Sequence, residues 1–236
     1  MAFFVSTFKP YRVVSKKLAE AIKQSGALSI IDLCTGAGKP TLTALRELFH
    51  ADDNQFRVIL TDKHPNIHAL RRLSEKYDSH FEYLEEPVDA TNIPDNLKGF
   101  RTFFESFHHF DKETARKILA DAALKKEGIG IFEYTDRNFL IWGIALLLTP
   151  AFMILSTFFI RPVTIQRLLW MVIFPILPFI ATWDGFVSCL RTYSPKELNR
   201  MTDSLDCSDF HWETGRVRSF GVCYITFLIG YPKRLT

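Results

Sequence analysis

The sequence predicts an α/β fold: a mainly parallel sheet that is interrupted by an apolar helical hairpin and completed by an antiparallel pair of strands. Short apolar strands and amphipathic helices alternate five times before residue 136, which is typical of a parallel sheet with helices on both faces. Two long apolar runs follow, 139–160 and 168–190. The last two predicted strands, 210–216 and 223–230, are close enough in sequence to pair as antiparallel neighbours.

The first strand and the turn after it form the most informative motif. Apolar residues 28–31 end in Asp32, and the small-residue turn 34–38 follows. From Thr41 the apolar residues take helical spacing, so the order is strand, glycine-rich turn and helix. This geometry brings backbone N–H groups and a helix N-terminus to a ligand. An ordinary turn of an α/β protein gives the same pattern, because a lone glycine-rich turn is a weak motif.

Two other nucleotide-binding motifs fit this turn poorly. A P-loop requires glycine where Leu33 stands, and Ser or Thr where Pro40 follows Lys39. A dinucleotide-binding turn would have a third glycine in place of Thr41. The P-loop interpretation is therefore excluded, and NAD or FAD is not favoured as the ligand.

The downstream strands end in residues that suit a nucleoside ligand. The strand 56–62 ends in Asp62, 24 residues after Gly38, where a carboxylate reaches ribose hydroxyls in Rossmann-like sheets. Two further predicted strands are 83–90, which ends in Asp89-Ala90, and 100–107, which is followed by His108-His109.

In their order and spacing these motifs resemble those of the class I S-adenosylmethionine-dependent methyltransferases. The resemblance covers residues from about 15 to 137, and from about 192 to the end. It implies a Rossmann-like methyltransferase sheet, S-adenosyl-L-methionine as the cofactor and an enzyme that transfers methyl groups. The stretch 106–109 replaces the (Asp/Asn)-Pro-Pro-aromatic motif of enzymes that methylate amino groups on nucleobases or glutamine. This difference points away from a nucleic-acid substrate.

The resemblance also implies which residues contact the cofactor. Asp32 is placed near its ammonium group and Asp62 on its ribose, while Asp89 and Ala90 contact the adenine. Cys34 replaces the first glycine of the family's turn, so we expect a negative φ at this residue. The full predicted set is Asp32, Cys34, Thr35, Gly36, Ala37, Gly38, Asp62, Lys63, Asp89, Ala90 and Ser106.

Three residues are candidates for the chemistry itself. His108 and His109 follow the fourth strand, at the edge where ligands bind in open α/β sheets, and an imidazole can accept a proton near neutral pH. Alternatively, one of them only packs or bonds to the backbone. Asp184 is the one acid of the second apolar run; it is either a functional group or a solvated residue at a boundary. Glu133 and Arg137 either face the acceptor pocket or pair with each other.

Local signals place the helices of the predicted domain. Ser, Asp and Thr favour helix starts, and glycine favours helix ends. The predicted helices are 15–25 with Ser15 as N-cap and Gly26 as its end, 65–77, 111–126 with Asp111 as N-cap, and one that begins with a capping box at Ser194 and Glu197.

Charge and cysteine content exclude several classes of protein. A net charge of +3 does not indicate a nucleic-acid partner. The four cysteines are scattered without a C-x-x-C spacing, so we predict no zinc or other metal site, no disulfide framework and a cytosolic domain. Residues 1–12 contain no apolar core long enough for a signal peptide.

The two apolar runs allow three interpretations. Each approaches the length of about 20 residues that crosses a bilayer, but two crossings would place Arg161 and Arg167 outside, against the positive-inside tendency. A shallow membrane hairpin is favoured, because Pro150, Pro175 and Pro178 break helices and the two arginines can reach lipid phosphates. A buried helical lid is the third interpretation.

The sequence thus predicts a cofactor-binding part at 1–137, an apolar membrane-associated or lid hairpin at 138–190 and a C-terminal part of the same domain at 191–236. We expect a membrane-associated methyltransferase that acts on an apolar or amphiphilic, lipid-like small molecule at the cytoplasmic face of a bacterial inner membrane. The alternatives are a non-enzymatic scaffold of the same fold, anchored by its hairpin, and a soluble methyltransferase with an apolar lid.

Overall fold

The computed structural model describes residues 10–38, 41–42, 44–45, 56–77, 80–158, 163–219, 221 and 223–233. The chain divides into two compact units. The sheet unit comprises Met1–Tyr134 and Tyr193–Thr236, and the apolar unit comprises Thr135–Thr192. Parts of three predicted features lie outside the described residues: the start of the first motif's helix at 39–40, its apolar stripe at 48–49, and Arg161 of the hairpin.

Seven strands form the sheet: β1 (Ser29–Asp32), β2 (Arg57–Leu60), β3 (Phe81–Tyr83), β4 (Phe100–Phe104), β5 (Ile129–Glu133), β6 (Phe210–Arg218) and β7 (Tyr224–Pro232). Their order across the sheet is β3-β2-β1-β4-β5-β7-β6. Strands β1 to β5 are parallel to their neighbours, whereas β7 runs antiparallel to both β5 and β6. The predicted parallel sheet with an antiparallel C-terminal pair is confirmed.

Two strands end earlier than predicted. Strand β3 pairs with β2 and ends at Tyr83, so the predicted strand 83–90 is wrong. Pro87 lies in that stretch, and proline cannot donate a hydrogen bond to a strand ladder. Strand β4 ends at Phe104, because Glu105 has a φ of +55°; that value interrupts extended backbone, and a 3₁₀ turn at Phe107–His109 follows.

Seven helices have described bounds: α1 (Ser15–Ser25), α2 (Ile67–Tyr77), α3 (Lys112–Leu124), α4 (Phe139–Ser156), α5 (Ile165–Leu168), α6 (Ile176–Arg191) and α7 (Pro195–Asp203). Residues 41–42 and 44–45, after the first turn, are also helical. Two predicted helix starts are confirmed by side-chain contacts. Asp111 accepts a hydrogen bond from the Thr114 N–H at 2.7 Å, and Ser194 and Glu197 form the predicted capping box of α7.

The start of α1 differs from the prediction. Ser15 is the first helical residue rather than the N-cap, because residues Pro10–Val14 already form a 3₁₀ helix that runs into α1. The Ser15 hydroxyl instead donates to the carbonyl oxygen of Arg12 at 2.7 Å. Gly26, with a φ of +73°, ends α1 as predicted.

A hydrophobic core supports the carboxyl ends of the central strands. Ile31 of β1, Phe103 of β4 and Ile131 of β5 pack with Ile118 and Leu119 of α3, and all five side chains are buried. The loops that leave this edge of the sheet therefore start from a rigid base.

The apolar unit consists of α4, of α5 with its continuation through a π-helical turn at Leu169–Ile173, and of α6. Among the described residues, no helix by itself combines the length and apolar composition needed to cross a bilayer. The pair Ile165–Ile173 and Ile176–Arg191 meets both requirements when taken together, although it is bent by 63°.

The two ends of the apolar unit are joined to each other. The hydroxyl oxygens of Thr135 and Thr192 lie 2.7 Å apart, and Arg137 Nε donates to the carbonyl oxygen of Leu190 at 3.1 Å.

Candidate functional site

The carboxyl ends of β1, β2 and β4 bring the predicted motifs to one edge of the sheet. Since β2 and β4 both run parallel to β1, the segments that follow these strands lie side by side. Strand order changes direction between β1 and β4, and in open α/β sheets the ligand crevice lies at such a switch point. Sequence and topology therefore indicate the same place.

Hydrogen bonds connect the turn after β1 with the segment after β2. The Gly36 N–H donates to Asp62 Oδ2 at 2.8 Å, and Asp62 Oδ1 accepts from the His64 N–H at 2.8 Å. The Val88 N–H in turn donates to the Asp62 carbonyl oxygen at 2.9 Å. Asp62 thus holds the predicted cofactor turn and the segment that leads to Asp89 close together.

Glycine is required at two positions of this turn for different reasons. Gly36 and Gly38 have φ values of +56° and +71°. A Cβ atom on Gly38 would collide with Leu73, whereas a Cβ on Gly36 would meet no atom of the described residues within 4 Å. Gly38 is therefore fixed by packing, while Gly36 leaves open space beside the backbone, where a ligand can lie.

The prediction of a negative φ at Cys34 is wrong. Its φ is +57°, so the turn keeps the left-handed conformation that glycine adopts most easily, although a side chain is present. Burial raises the pKa of the Cys34 thiol to about 12, with further increases from the carboxylates of Asp62 and Asp32. The thiol is therefore neutral near pH 7 and is not a reactive nucleophile.

Asp32 lies under the turn rather than on its surface. The residue is 1% exposed, and its carboxylate accepts hydrogen bonds from the hydroxyls of Thr41 at 2.6 Å and Thr102 at 2.9 Å. Burial raises the pKa of Asp32 to about 6, although hydrogen bonds from the hydroxyls of Thr35, Thr41 and Thr102 lower it. In this position Asp32 ties β1 to β4 and to the helix after the turn; its role near an ammonium group stays a prediction.

The two residues that are predicted to contact the adenine, Asp89 and Ala90, lie in different environments. Lys63 Nζ lies 2.8 Å from Asp89 Oδ2, and this contact, followed by the hydrogen bonds from Thr91, lowers the pKa of Asp89 to about 2. Ala90 is instead part of the buried core cluster. Of this pair, only Asp89 presents its side chain to solvent.

Two buried hydroxyls flank the switch point. Ser106 Oγ, which follows β4, has no hydrogen-bond partner among the residues that the structure describes, whereas the Thr35 hydroxyl, which follows β1, interacts with the Asp32 carboxylate and lowers its pKa. Buried polar groups are usually paired, so the Ser106 hydroxyl calls for a ligand or water. Because Thr35 and Ser106 both belong to the predicted cofactor set, the residues present fit a polar ligand at this edge.

The acceptor side of the edge contains a buried histidine paired with a glutamate. His108 is 2% exposed, and its Nδ1 lies 2.6 Å from Oε2 of Glu133, at the end of β5. The Phe107 N–H donates to the other oxygen of Glu133 at 2.7 Å. His109 is exposed, and its ring lies 4.3 Å from that of His108. Of the two predicted histidines, His108 is therefore the one in a structured polar environment.

Glu105 and Tyr11 extend this cluster and were missed by the sequence analysis. The carboxylate of Glu105 accepts from the Tyr11 hydroxyl at 2.7 Å and from the Tyr134 N–H at 2.8 Å. Burial, followed by the negative charge of Glu105, raises the pKa of Tyr11 well above its ordinary value. The position of Glu105 directly after a buried strand was a usable signal, but nothing near Tyr11 in sequence indicated its partner.

The same cluster has the composition of a cation site. One ligand-type atom each from Glu105, His108 and Glu133 lies within 4.8 Å of the others. A hydrogen bond joins His108 to Glu133, while Glu105 accepts hydrogen bonds from Tyr11 and Tyr134, so protein groups already occupy oxygens of this cluster. Asp184 is exposed on α6, in the apolar unit.

One cavity of the sheet unit lies at the opposite edge. It has a volume of about 440 Å³ and is lined by residues 25–29, 98–99 and 126–128. These residues precede β1, β4 and β5, and ligands of open α/β sheets bind at the other ends of the strands. The motif edge is therefore the better candidate for the functional site.

No protein-family model matches the sequence, and no curated protein matches it. Solved structures do match. The plantazolicin methyltransferase BpumL, crystallised with S-adenosylhomocysteine, has a TM-score of 0.54 at 11% identity over 96% of this chain and 85% of its own. A SAM-dependent methyltransferase from Aquifex aeolicus has a TM-score of 0.50 at 15% identity, over 96% and 92%.

The mitomycin 7-O-methyltransferase MmcR also has a TM-score of 0.50, at 16% identity, and the match covers 94% of this chain but 53% of MmcR. The chain thus spans about half the length of MmcR. At such identities the likeness concerns the fold, and it agrees with the strand order and the antiparallel C-terminal pair. The chain has the fold of the class I S-adenosylmethionine-dependent methyltransferases.

Proposed function

We propose that this protein is an S-adenosyl-L-methionine-dependent methyltransferase that acts on a small molecule. The observation that carries the proposal is the buried Ser106 hydroxyl, which has no hydrogen-bond partner among the described residues and lies across the switch point from the buried Thr35. The glycine turn and Asp62 meet at the same edge. The fold supplies the context, and these polar groups indicate a ligand there.

The proposed cofactor site uses the chain's own hydrogen-bonding groups. The turn at Gly36 presents open backbone to the amino-acid tail of the cofactor. Asp62, at the end of the β2 segment, accepts hydrogen bonds from the ribose, and Asp89 does so from the adenine amino group. Both carboxylates already accept hydrogen bonds from protein donors, and each oxygen has lone pairs for a further donor.

The proposed reaction is an in-line displacement at a sulfonium methyl group. A bond forms between the acceptor's nucleophilic atom and the methyl carbon, while the bond from that carbon to sulfur breaks and its electron pair stays on sulfur. The protein mainly aligns the two partners. If the acceptor is an alcohol or phenol, its proton passes to His108, whose ring Glu133 orients through Nδ1. His109 is the exposed alternative.

Isothermal titration calorimetry with S-adenosyl-L-methionine and with S-adenosylhomocysteine tests the proposal. We expect both to bind to the wild-type chain, and Asp62→Asn to weaken both by about ten-fold, the effect of one charged hydrogen bond. Asp203→Asn, at an exposed position in α7, is the matched control and leaves affinity unchanged. No heat with either compound contradicts the proposal and favours a non-enzymatic scaffold.

The finer part of the proposal concerns the acceptor and its location. We infer an apolar or amphiphilic, lipid-like acceptor and a place at the cytoplasmic face of a membrane. Support comes from the apolar unit, which exposes many large apolar side chains. Mass spectrometry of lipid extracts from cells with and without the gene tests it. We expect a product heavier by one CH₂ group, and a product found only among water-soluble metabolites contradicts it.

A further inference from the structure

Exposed apolar side chains are concentrated in the apolar unit. Among the described residues, only four of the exposed large apolar side chains lie in the sheet unit: Val13, Leu28, Leu124 and Tyr224. All the others belong to Thr135–Thr192. Single exposed apolar residues are normal on any protein, but a contiguous surface of this kind marks an interaction site.

The helix that carries most of this surface is apolar on two sides. Side chains of α6 such as Pro178 and Cys189 are buried. The opposite side of α6 is exposed and consists of Ile176, Leu177, Phe179, Ile180, Trp183, Phe186 and Leu190. A helix that is apolar on its exposed side as well is typical of contact with lipid rather than with water.

The lengths of the helices limit how deep they can reach. Helix α4 has 18 residues and contains Pro150, and α6 has 16 residues; at 1.5 Å per residue they span about 27 Å and about 24 Å. The hydrocarbon core of a bilayer is about 30 Å thick. The bend of 63° between Ile165–Ile173 and Ile176–Arg191 reduces the depth of this pair when both of its ends lie at the same surface, so the bent pair suits one leaflet.

Charges and tryptophans mark where the water boundary would lie. Arg167 precedes the bend and Arg191 ends α6, so cationic groups stand at both ends of the bent pair, complementary to anionic lipid phosphates. Trp170 is 50% exposed and Trp183 is 68% exposed, and indole rings favour the membrane interface. Asp184, next to Trp183, is exposed and fits the same boundary.

We propose that the apolar unit inserts into a single leaflet of an anionic phospholipid bilayer, with Trp170 and Trp183 just below the headgroups and Arg167 at the phosphates. This inference deepens the membrane part of the proposed function and does not depend on methyl transfer. The apolar surface of α6 then contacts acyl chains, and the bent pair does not cross the membrane.

Depth-dependent quenching of tryptophan fluorescence tests this arrangement. Three full-length variants keep one tryptophan each, at position 170, 183 or 212, and have Phe at the remaining tryptophan positions, including Trp142. Each is mixed with vesicles of phosphatidylglycerol and phosphatidylcholine that carry bromine at a shallow or a deep acyl position. We expect shallow bromine to quench Trp170 and Trp183 more strongly than deep bromine. Trp212, in β6 of the sheet unit, is the internal control and should not be quenched.

Charge is tested by the variant Arg167→Gln. Affinity for the anionic vesicles should fall about five-fold, the attraction of one basic side chain to such a surface, with no change for vesicles of phosphatidylcholine alone. Arg72→Gln, at an exposed position of α2, is the matched control. Equal effects of both substitutions would show that Arg167 does not contact the lipid phosphates.

Three outcomes overturn the proposal. Stronger quenching by deep bromine indicates that the segments cross the bilayer, and no quenching excludes insertion. A stable dimer without lipid, whose tryptophan emission is unaffected by vesicles, shows that a second copy covers the apolar surface. S-adenosylhomocysteine binding in the same samples keeps these failures separate from a failure of the methyltransferase proposal.

Discussion

His108 Nδ1 and Glu133 Oε2 lie 2.6 Å apart, and both side chains are buried at the carboxyl ends of β4 and β5. A carboxylate at Nδ1 holds the imidazole in one orientation and stabilises the cation that forms when the ring accepts a proton. The pair thus gives the acceptor side of the site a defined chemistry.

Replacing His108 by Gln should lower methyl transfer by at least about 10²-fold, because general-base catalysis contributes that much. Glu133→Gln should lower it less, since Gln can still accept the Phe107 N–H. The measurement is incorporation of an isotope-labelled methyl group from S-adenosyl-L-methionine into a lipid extract. His68→Gln, at an exposed position of α2, is the control. If the His108 variant keeps full activity and cofactor affinity, His108 is not a general base, and the enzyme acts by aligning the cofactor with the acceptor.

The stability of the protein should depend on pH through Asp32. Burial raises the pKa of Asp32 from 3.8 to about 6, so between these values the folded chain keeps a proton that the unfolded chain releases. The free energy of unfolding therefore falls as pH rises from about 4 to about 6, by about 3 kcal/mol. Urea unfolding across this range should show the fall in wild type and in Asp203→Asn but not in Asp32→Asn. An unchanged slope in the Asp32 variant contradicts the assignment.

Cys34→Gly should stabilise the fold by up to about 1 kcal/mol, because glycine adopts a positive φ without the cost of a Cβ atom. Cys34→Ala removes the thiol but keeps the Cβ, so it separates backbone strain from side-chain packing. Thermal unfolding measures both. A glycine variant no more stable than the alanine variant would show that the φ of +57° is not strained.

The two glycines of the turn should respond differently to alanine. Gly38→Ala should destabilise the fold by more than about 2 kcal/mol, since its Cβ collides with Leu73 and its φ is positive. Gly36→Ala should cost about 1 kcal/mol in stability but weaken S-adenosylhomocysteine binding, because its Cβ enters the open space. Calorimetry and urea unfolding of both variants check this, and equal losses in both assays for both variants contradict it.

Local chemistry made much of the fold predictable. The helix starts at Asp111 and Ser194 depend on residues within three positions of each other, and the strands follow from short apolar runs. The order of acids after β1 and β2 identified the motif edge. The prediction failed for the third strand, because β3 (Phe81–Tyr83) is only three residues long and contains Glu82, and the stretch after it resembled a strand end.

Contacts between distant parts of the chain could not be predicted. Tyr11 and Glu105 are 94 positions apart, and no pattern near either residue indicates the other. The φ at Cys34 was predicted wrongly for a related reason: the turn is set by the strands and helix around it, and this tertiary context overrides the preference of one side chain.

The hydroxyl contact between Thr135 and Thr192 holds the first and last residues of the inserted segment next to each other. The entropy of loop closure depends on bringing the two ends together, and here the segment's own structure does so. Whatever lies between the ends could therefore be lengthened, shortened or exchanged without stretching the strands on either side. An inserted segment of this kind can change during evolution, and with it the surface to which the protein binds, while the seven-stranded sheet stays the same.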